Sequence, residues 1–313
     1  MVLLMDGNYL LHRNVFILAK DRLLFGNLEE SLHTTTNSYS KWFPFSNVHF
    51  ISDSKTNWRK IIYPEYKANR KRSEDIDWEF VNITYDNFKK SPSSRYNVLE
   101  NDLLEGDDWI AYLTRYYNKR GESVLIVSND GDIKQLLDDG NDYINIMVNE
   151  NNLNNNIFLN EDYKTWLSKF DDKVGLPSLF DDNVNENREL YNFIKELISK
   201  REIKEIKTDK VLFEKIVGGD RGDNVKSVYI KNNRGIGEKT AEKIYNKYIE
   251  YFGTPKFDEE CFDKMTDIVI EQKKLESNEF ENIKDNILLN NKLVNLQTLP
   301  KKVIKKIQEK HEN

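Results

Sequence analysis

The chain has 313 residues, 38% of them hydrophobic and 12% aromatic, which excludes a disordered polymer and supplies core for one large domain or two ordinary ones. A net charge of −6 argues against a generic polycationic nucleic-acid binder, although 47 basic and 53 acidic side chains allow local patches of either sign. The single cysteine, Cys261, excludes an intrachain disulfide and suits a reducing compartment. The opening apolar run Val2–Met5 stops at Asp6, too short for a signal peptide or membrane span, so a cytoplasmic, membrane-free protein is expected.

Three apolar runs end in an acid. VLLMD closes on Asp6, VHFISD on Asp53 and SVLIVSND on Asp130, and YINIMV (143–148) is a fourth run. Near-continuous apolar runs separated by helical sequence predict a mainly parallel sheet covered on both faces. In such α/β sheets the ligand site lies beyond the carboxyl ends of the strands. Aspartates also cap the helices that follow strands, but capping does not account for all three, together with a second acid, Asp132, in SNDGD.

Between the second and third runs lies WRKIIYPEYKANRKR (58–72). Arg59, Lys60, Lys67, Arg70, Lys71 and Arg72 alternate with Trp58, Tyr63 and Tyr66. Cations for phosphates and rings for bases are what single-stranded nucleic acid requires. Lys67 and Arg70, three apart, would share a face if the strip is helical. Residues 101–121 read as a helix ending near Gly121, with Glu105 and Asp108 on one face and Asp107 to the side. Acids at a helix start also offset the helix dipole.

NENNLNNN (149–156) reads as a loop and NRELYNFIKELISKREIKEI (187–206) as one amphipathic surface helix. The character changes near residue 210. KVLFEKIVGGD leads to Asp220 and Asp223, and RGIGEKTAEK follows. There Gly235 and Gly237 would let backbone N–H groups approach a phosphate at a helix start, with Lys239 and Thr240 beside them.

The acids Asp6, Asp53, Glu105, Asp107, Asp108, Asp130, Asp132, Asp220 and Asp223 cannot all ionise at close quarters without cations: two like charges about 4 Å apart cost about 4 kcal/mol at an effective dielectric near 20. No lysine sits inside these motifs, and the four histidines (His12, His33, His49, His311) show no ligand spacing. Hard oxygen donors in excess point to magnesium or manganese rather than zinc. Two such ions on carboxylates form a phosphodiester-cleaving device.

In order along the chain, LLMDGNYLLHR, FISDSKTNWRK, YPEYKANRKR, EGDDWIA, SNDGDIKQL, GGDRGDNV and GIGEKTAEKI resemble the motifs of the flap endonuclease family of 5′-nucleases, particularly phage-type RNase H and the nuclease domain of DNA polymerase I. NNKLVNLQTLP resembles the segment that closes the family's C-terminal region. The resemblance implies a PIN-like α/β 5′-nuclease core over residues 1–210 with a helical arch at about 64–100. It also implies a C-terminal helix–three-turn–helix region over 211–313. It assigns Asp6, Asp53, Glu105 and Asp107, with Asp108 beside them, to one ion, and Asp130, Asp132 and Asp223, supported by Asp220, to a second. It makes Lys67 and Arg70 the grip on the scissile phosphate and Tyr66 a stacking residue, and places potassium at the glycine turn. Expected substrates are 5′ flaps, 5′ ends and RNA–DNA hybrids. Expected partners are a clamp, a single-strand-binding protein and, since no polymerase domain follows, a separate polymerase. A monomer, phage-encoded and working in host cytoplasm, fits the reading. The alternatives are a PIN-type RNA nuclease and a binding relative that has lost catalysis. The stretch from Asp132 to Asp220 is longer than the family's usual connection.

Overall fold

The computed structural model describes all residues except 21–23, 92, 139, 141–142, 151–154, 175–181, 254–255 and 312–313. In chain order the elements are β1 (Val2–Asp6), α1 (Gly7–Lys20), α2 (Leu24–Tyr39), β2 (Asn47–Ile51), α3 (Trp58–Ile62), α4 (Trp78–Lys90), β3 (Asn97–Leu99), α5 (Gly106–Asn118) and β4 (Val124–Val127). After a 3-10 turn at Asp132–Leu136 come β5 (Asn145–Glu150), β6 (Asn155–Asn160), α6 (Tyr163–Val174), α7 (Asp182–Ser199), β7 (Glu202–Ile206), α8 (Thr208–Gly218), α9 (Glu238–Phe252), α10 (Glu259–Lys273), α11 (Phe280–Val294) and α12 (Lys301–His311). They group into two compact units, one of residues 1–56, 73–206 and 303–313, the other of residues 57–72 and 207–302.

The first unit is built on one seven-stranded sheet, ordered β3-β2-β1-β4-β5-β6-β7. β3 through β5 are parallel, β6 turns antiparallel to β5, and β7 runs parallel to β6. The apolar runs are buried on both faces, as their lack of alternation predicts: β1 and β4 are buried throughout. Leu3, Met5, Leu125 and Val127 join one core cluster with Leu10, Leu28, Leu32, Phe88 and Ile194. Leu4 and Ile126, alternate along their strands, belong to the opposite face, and α5 packs on β1, β2 and β4. The chain runs outward from β1 through β2 to β3 and then returns to β4 on the other side of β1. The reversal lies between β1 and β4, where Asp6 ends its strand and Asp130 follows three residues after the end of β4.

Two expectations for residues 149–206 change. Residues 149–150 and 155–156 are strand, so the asparagine-rich stretch belongs to the β5–β6 pair; its middle, 151–154, lies outside the described residues. The single helix expected over 187–206 is the end of α7 followed by β7. EIKEI in β7 spaces Ile203 and Ile206 three apart, as a helix would, yet forms the last strand of the sheet, where its charges discourage further pairing. α7 is not simply a solvated surface helix, since Tyr191, Ile194 and Leu197 are buried in the core. α12 also belongs to this unit, through buried Val303 and Ile307 and an Asn101 Nδ2 hydrogen bond to the Lys306 carbonyl at 3.3 Å.

The second unit packs α8, α9, α10 and α11 around Leu212, Phe213, Ile244, Tyr248, Met265 and Ile287. The basic strip is part of this unit, with Tyr66 buried in its core. Only Trp58–Ile62 of the strip is helical. Pro64 disfavours helix at the residue before it, and turns follow, so Lys67 and Arg70 do not share a helical face. α4 and β3 occupy the later part of the 64–100 stretch and pack in the first unit.

Candidate active site

The strand register explains how the first unit gathers its acids. Met5 lies opposite Val127 in β4 and Asp6 opposite Ile51 in β2, so Asp6, Asp53 and Asp130 all follow the same end of three adjacent strands. The Asp6 carboxylate accepts the Tyr9 N–H at 3.0 Å and the Ser128 hydroxyl at 2.7 Å. Ser128 Oγ in turn accepts the Asp130 N–H at 3.0 Å, and Asp130 Oδ1 accepts the Asp132 N–H at 2.8 Å. One fully buried hydroxyl thus joins the ends of β1 and β4. Burial, reinforced by the nearby charge of Asp130, raises the Asp6 carboxyl above its usual range despite these hydrogen bonds. Among the described residues no cationic side chain pairs with Asp6 or Asp130.

Asp53 ties β2 to the start of α5. Its Oδ1 accepts the Gly106 N–H at 2.6 Å, and a Cβ on Gly106 would stand 3.1 Å from that same oxygen, which is why EGDD carries glycine there. Glu105 caps α5, and Asp108 returns the bond by accepting the Glu105 N–H at 3.0 Å. Asp108 is fully buried, and its Oδ2 serves this cap. Asp107 lies beside it, partly exposed, in the first turn of the helix.

The sequence reading missed three residues here. Asn8 accepts the Asp53 N–H at 3.3 Å, and the Tyr85 hydroxyl from α4 at 3.5 Å. Burial, together with the charges of Asp53 and Asp6, pushes the Tyr85 phenol well above its usual range. Ser128 was legible only as part of SND.

The second unit holds Asp220 and Asp223, and there the protein supplies the cations. Lys215 reaches Asp220 at 2.5 Å. Burial alone would raise Asp220, but Lys215 and the N–H groups of Asp223 and Gly222 outweigh it and hold the carboxyl below its usual range. Asp223 accepts the Tyr66 hydroxyl at 2.5 Å and Arg70 at 2.6 Å, with Lys67 Nζ at 3.7 Å. The cations lie outside the GGDRGDNV motif: Lys215 stands five residues before Asp220, and Lys67 and Arg70 reach Asp223 from distant sequence.

Other expected contacts divide. Arg59 is 2% exposed; its Nε donates to the Leu293 carbonyl at 2.8 Å and its guanidinium lies over Trp58, so it is a core residue rather than a surface contact. Lys60, Lys71, Arg72 and Lys239 are exposed, and Thr240 is half-buried. A Cβ on Gly235 would come within 2.6 Å of the Ser227 Cβ, so packing requires that glycine. A Cβ on Gly237, at the start of α9, would meet open space, and this position keeps the backbone accessible.

The site carboxylates offer only hard oxygen donors, the chemistry magnesium and manganese prefer. Among the described residues no three histidine, cysteine, aspartate or glutamate side chains are close enough to enclose an ion as they stand.

Comparison with known proteins follows the same lines. The family profile described as "5'-3' exonuclease, N-terminal resolvase-like domain" matches residues 1–164. A 5'-3' exonuclease of Mycoplasmopsis pulmonis is 27% identical over 247 residues, 79% of this chain and 66% of the relative. The chain thus spans just under two thirds of that relative. Ribonuclease H of Enterobacteria phage T4 is 33% identical over 84 residues, 25% of this chain and 28% of the relative. In fold, the chain resembles the bacteriophage T5 flap endonuclease, solved as a pseudo-enzyme-product complex with DNA and metal ions. The TM-score is 0.57 at 18% identity, covering 99% of this chain and 97% of that one.

Proposed function

The chain belongs to the 5'-3' exonuclease family, and from that premise we propose that it is a divalent-metal-dependent 5′-nuclease. It would hydrolyse phosphodiesters at 5′ ends and at junctions of single strand and duplex, leaving a 5′-phosphate and a 3′-hydroxyl. The observation that carries this reading is the buried Asp6–Ser128–Asp130 bridge across the reversal point of the sheet, which offers carboxylates to a cation rather than to a protein base. Magnesium is the ion proposed, with manganese able to replace it. Asp6, Asp53, Glu105 and Asp107 would hold one ion, and Asp130 and Asp132 the other. Asp220 and Asp223 are assigned to the second ion by sequence resemblance alone. Two bound ions supply water activation and stabilisation of the leaving oxygen.

The chain's own groups have distinct tasks. Ser128 fixes the Asp6 carboxylate through its hydroxyl and the Asp130 backbone through its lone pair. Lys67 and Arg70 would grip a phosphate, with Arg70 offering a planar fork suited to two of its oxygens. Tyr66 is buried at 3% exposure with its hydroxyl on Asp223, so it positions the grip rather than stacking freely on a base. Gly237 and Lys239 at the start of α9 would bind duplex backbone, with potassium at the turn.

RNA primers on DNA and 5′ flaps are the proposed substrates, in lagging-strand maturation by a cytoplasmic monomer working with a polymerase activity, clamp and single-strand-binding protein. Among the described residues no helix is long and apolar enough to cross a membrane. The test is cleavage of 5′-labelled and 3′-labelled copies of a flap substrate, in DNA and RNA–DNA form, with magnesium and with chelator. Magnesium-dependent release of the 5′ strand is expected. No product on either substrate would remove the enzymatic reading and leave a binding protein.

A further inference from the structure

The eleven residues of α12, KKVIKKIQEKH, hold five lysines and one glutamate in a chain whose net charge is −6. Val303 and Ile307 are buried, and the Lys306 carbonyl accepts Asn101 Nδ2 at 3.3 Å, so the helix is seated on the first unit by its apolar side and its backbone. Lys301, Lys302, Lys305 and Lys310 are exposed and Lys306 is half-buried. At about 100° per residue, all five lysines fall within about half of the helical circumference.

The protein does little to answer this charge. Lys305 pairs with Glu309 at 3.8 Å, and among the described residues Lys301, Lys302, Lys306 and Lys310 form no ion pair. Acids are close by. Lys310 borders a groove of about 450 Å³ that is also lined by Asp86, Glu100 and Asp102. Two of these are engaged elsewhere: Lys89 meets Asp86 at 3.1 Å and Glu100 at 2.5 Å, and Lys55 lies 3.6 Å from Asp86.

The stripe also works against the helix that carries it. Lys301 and Lys302 stand in the first turn, at the positive end of the helix dipole, with no acid in that turn to offset them. Lys301 and Lys305, Lys302 and Lys306, and Lys306 and Lys310 are like charges four residues apart, which repel on a helix. The burial of Val303 and Ile307 requires none of them. Cations that oppose their own helix and stay unanswered by the chain suit a polyanion from outside. Lys302, Lys306 and Lys310 span about 12 Å along the axis, the length of about three to four phosphate steps of one duplex strand.

We propose that α12 is a duplex-binding face, its lysine stripe lying along the phosphate backbone of one strand. The proposal rests on the reading of the chain as a nuclease whose substrates contain duplex. Such contacts fix position and add affinity, and they take no part in the cleavage step.

The experiment measures binding of a short fluorescent blunt duplex by the full chain in chelator, across a salt series. The triple variant Lys302→Gln, Lys306→Gln, Lys310→Gln keeps the helix formers and is expected to weaken binding at least about tenfold and to lower the salt slope by about 2–3. A control set of equal charge loss, Lys164→Gln, Lys200→Gln, Lys204→Gln, removes lysines already paired with Glu205, Glu196 and Glu202, and is expected to change the slope by less than about 0.5. The Lys→Arg version of the α12 triple should keep the wild-type slope. Should the glutamine triple fail to fold, Lys301→Gln with Lys305→Gln repeats the test and is expected to lower the slope by about one. An unchanged slope in a folded α12 variant, or an equal loss in the control set, would overturn the proposal. So would unchanged duplex binding beside lost binding to phosphatidylserine-containing vesicles, which would make α12 a membrane contact. Single-turnover cleavage with magnesium at saturating enzyme should be the same in the triple variant and the wild type. Because binding is read without metal, the α12 contact can fail while cleavage succeeds, and the reverse.

Discussion

The two groups of acids resolve the same electrostatic problem in opposite ways. At the strand ends of the first unit, Asp6 and Asp130 are met among the described residues by N–H and O–H donors, and Asp6 is raised above its usual range. In the second unit Lys215 meets Asp220, Arg70 and Lys67 meet Asp223, and Asp220 is held below its usual range. A carboxylate answered by a lysine is already neutralised. One answered by a serine is stabilised only in part and still favours a cation from solution. The difference separates acids met by hydrogen-bond donors from acids paired with cations of the chain.

The severest way to break this comparison is to remove an acid of the first group. Asp132→Asn should reduce flap cleavage on the order of a thousandfold or more while flap binding persists or strengthens, measured by single-turnover cleavage beside anisotropy. Arg70→Gln, from the second group, should cost cleavage about a hundredfold through weakened phosphate placement, with the magnesium requirement unchanged. Ser128→Ala should raise the magnesium concentration for half-maximal cleavage about tenfold, since the serine orients a ligand rather than serving as one.

Smaller effects sharpen the comparison further. A carboxyl raised on folding weakens stability as pH climbs from its unfolded value through its folded one, because the unfolded chain releases that proton first. Asp6→Asn should therefore stabilise the metal-free protein at neutral pH, by roughly 2–4 °C in melting temperature, and the gain should vanish below the ordinary carboxylate range. Asp108→Ala, in contrast, should cost about 1–2 kcal/mol of stability by removing the cap on α5, while the cleavage rate per folded molecule stays the same. A loss of magnesium response in Asp108→Ala would return that residue to the ligands.

Much of the first group was legible in the sequence because its signal is local. An apolar run that stops at an acid states both the strand and the edge where the acid emerges, and three such runs state a parallel sheet with one acidic edge. The capping of α5 was legible as an acidic helix start, although only the structure separates Asp108, which accepts the Glu105 N–H, from its neighbours. The second group was less legible because its partners are far apart in sequence: Lys67 and Asp223 meet only through the fold. The basic strip presented itself as a helix through the spacing of its cations, and the proline that breaks it was the overlooked sign. β7 was hidden because Ile203 and Ile206, three apart inside a charged run, imitate helical spacing. Arg59 shows the limit of reading charge as exposure, since its guanidinium is buried against Trp58.

The most direct test of the central claim is a magnesium titration followed by melting temperature, for the wild type, Asp6→Asn and Asp220→Asn. A ligand that binds only the folded chain raises its melting temperature with concentration. The account predicts such a rise in the wild type and in Asp220→Asn, and its loss in Asp6→Asn. A wild type that does not respond, or an Asp6→Asn protein that responds as strongly as the wild type, would contradict the assignment of the strand-end acids to a divalent ion.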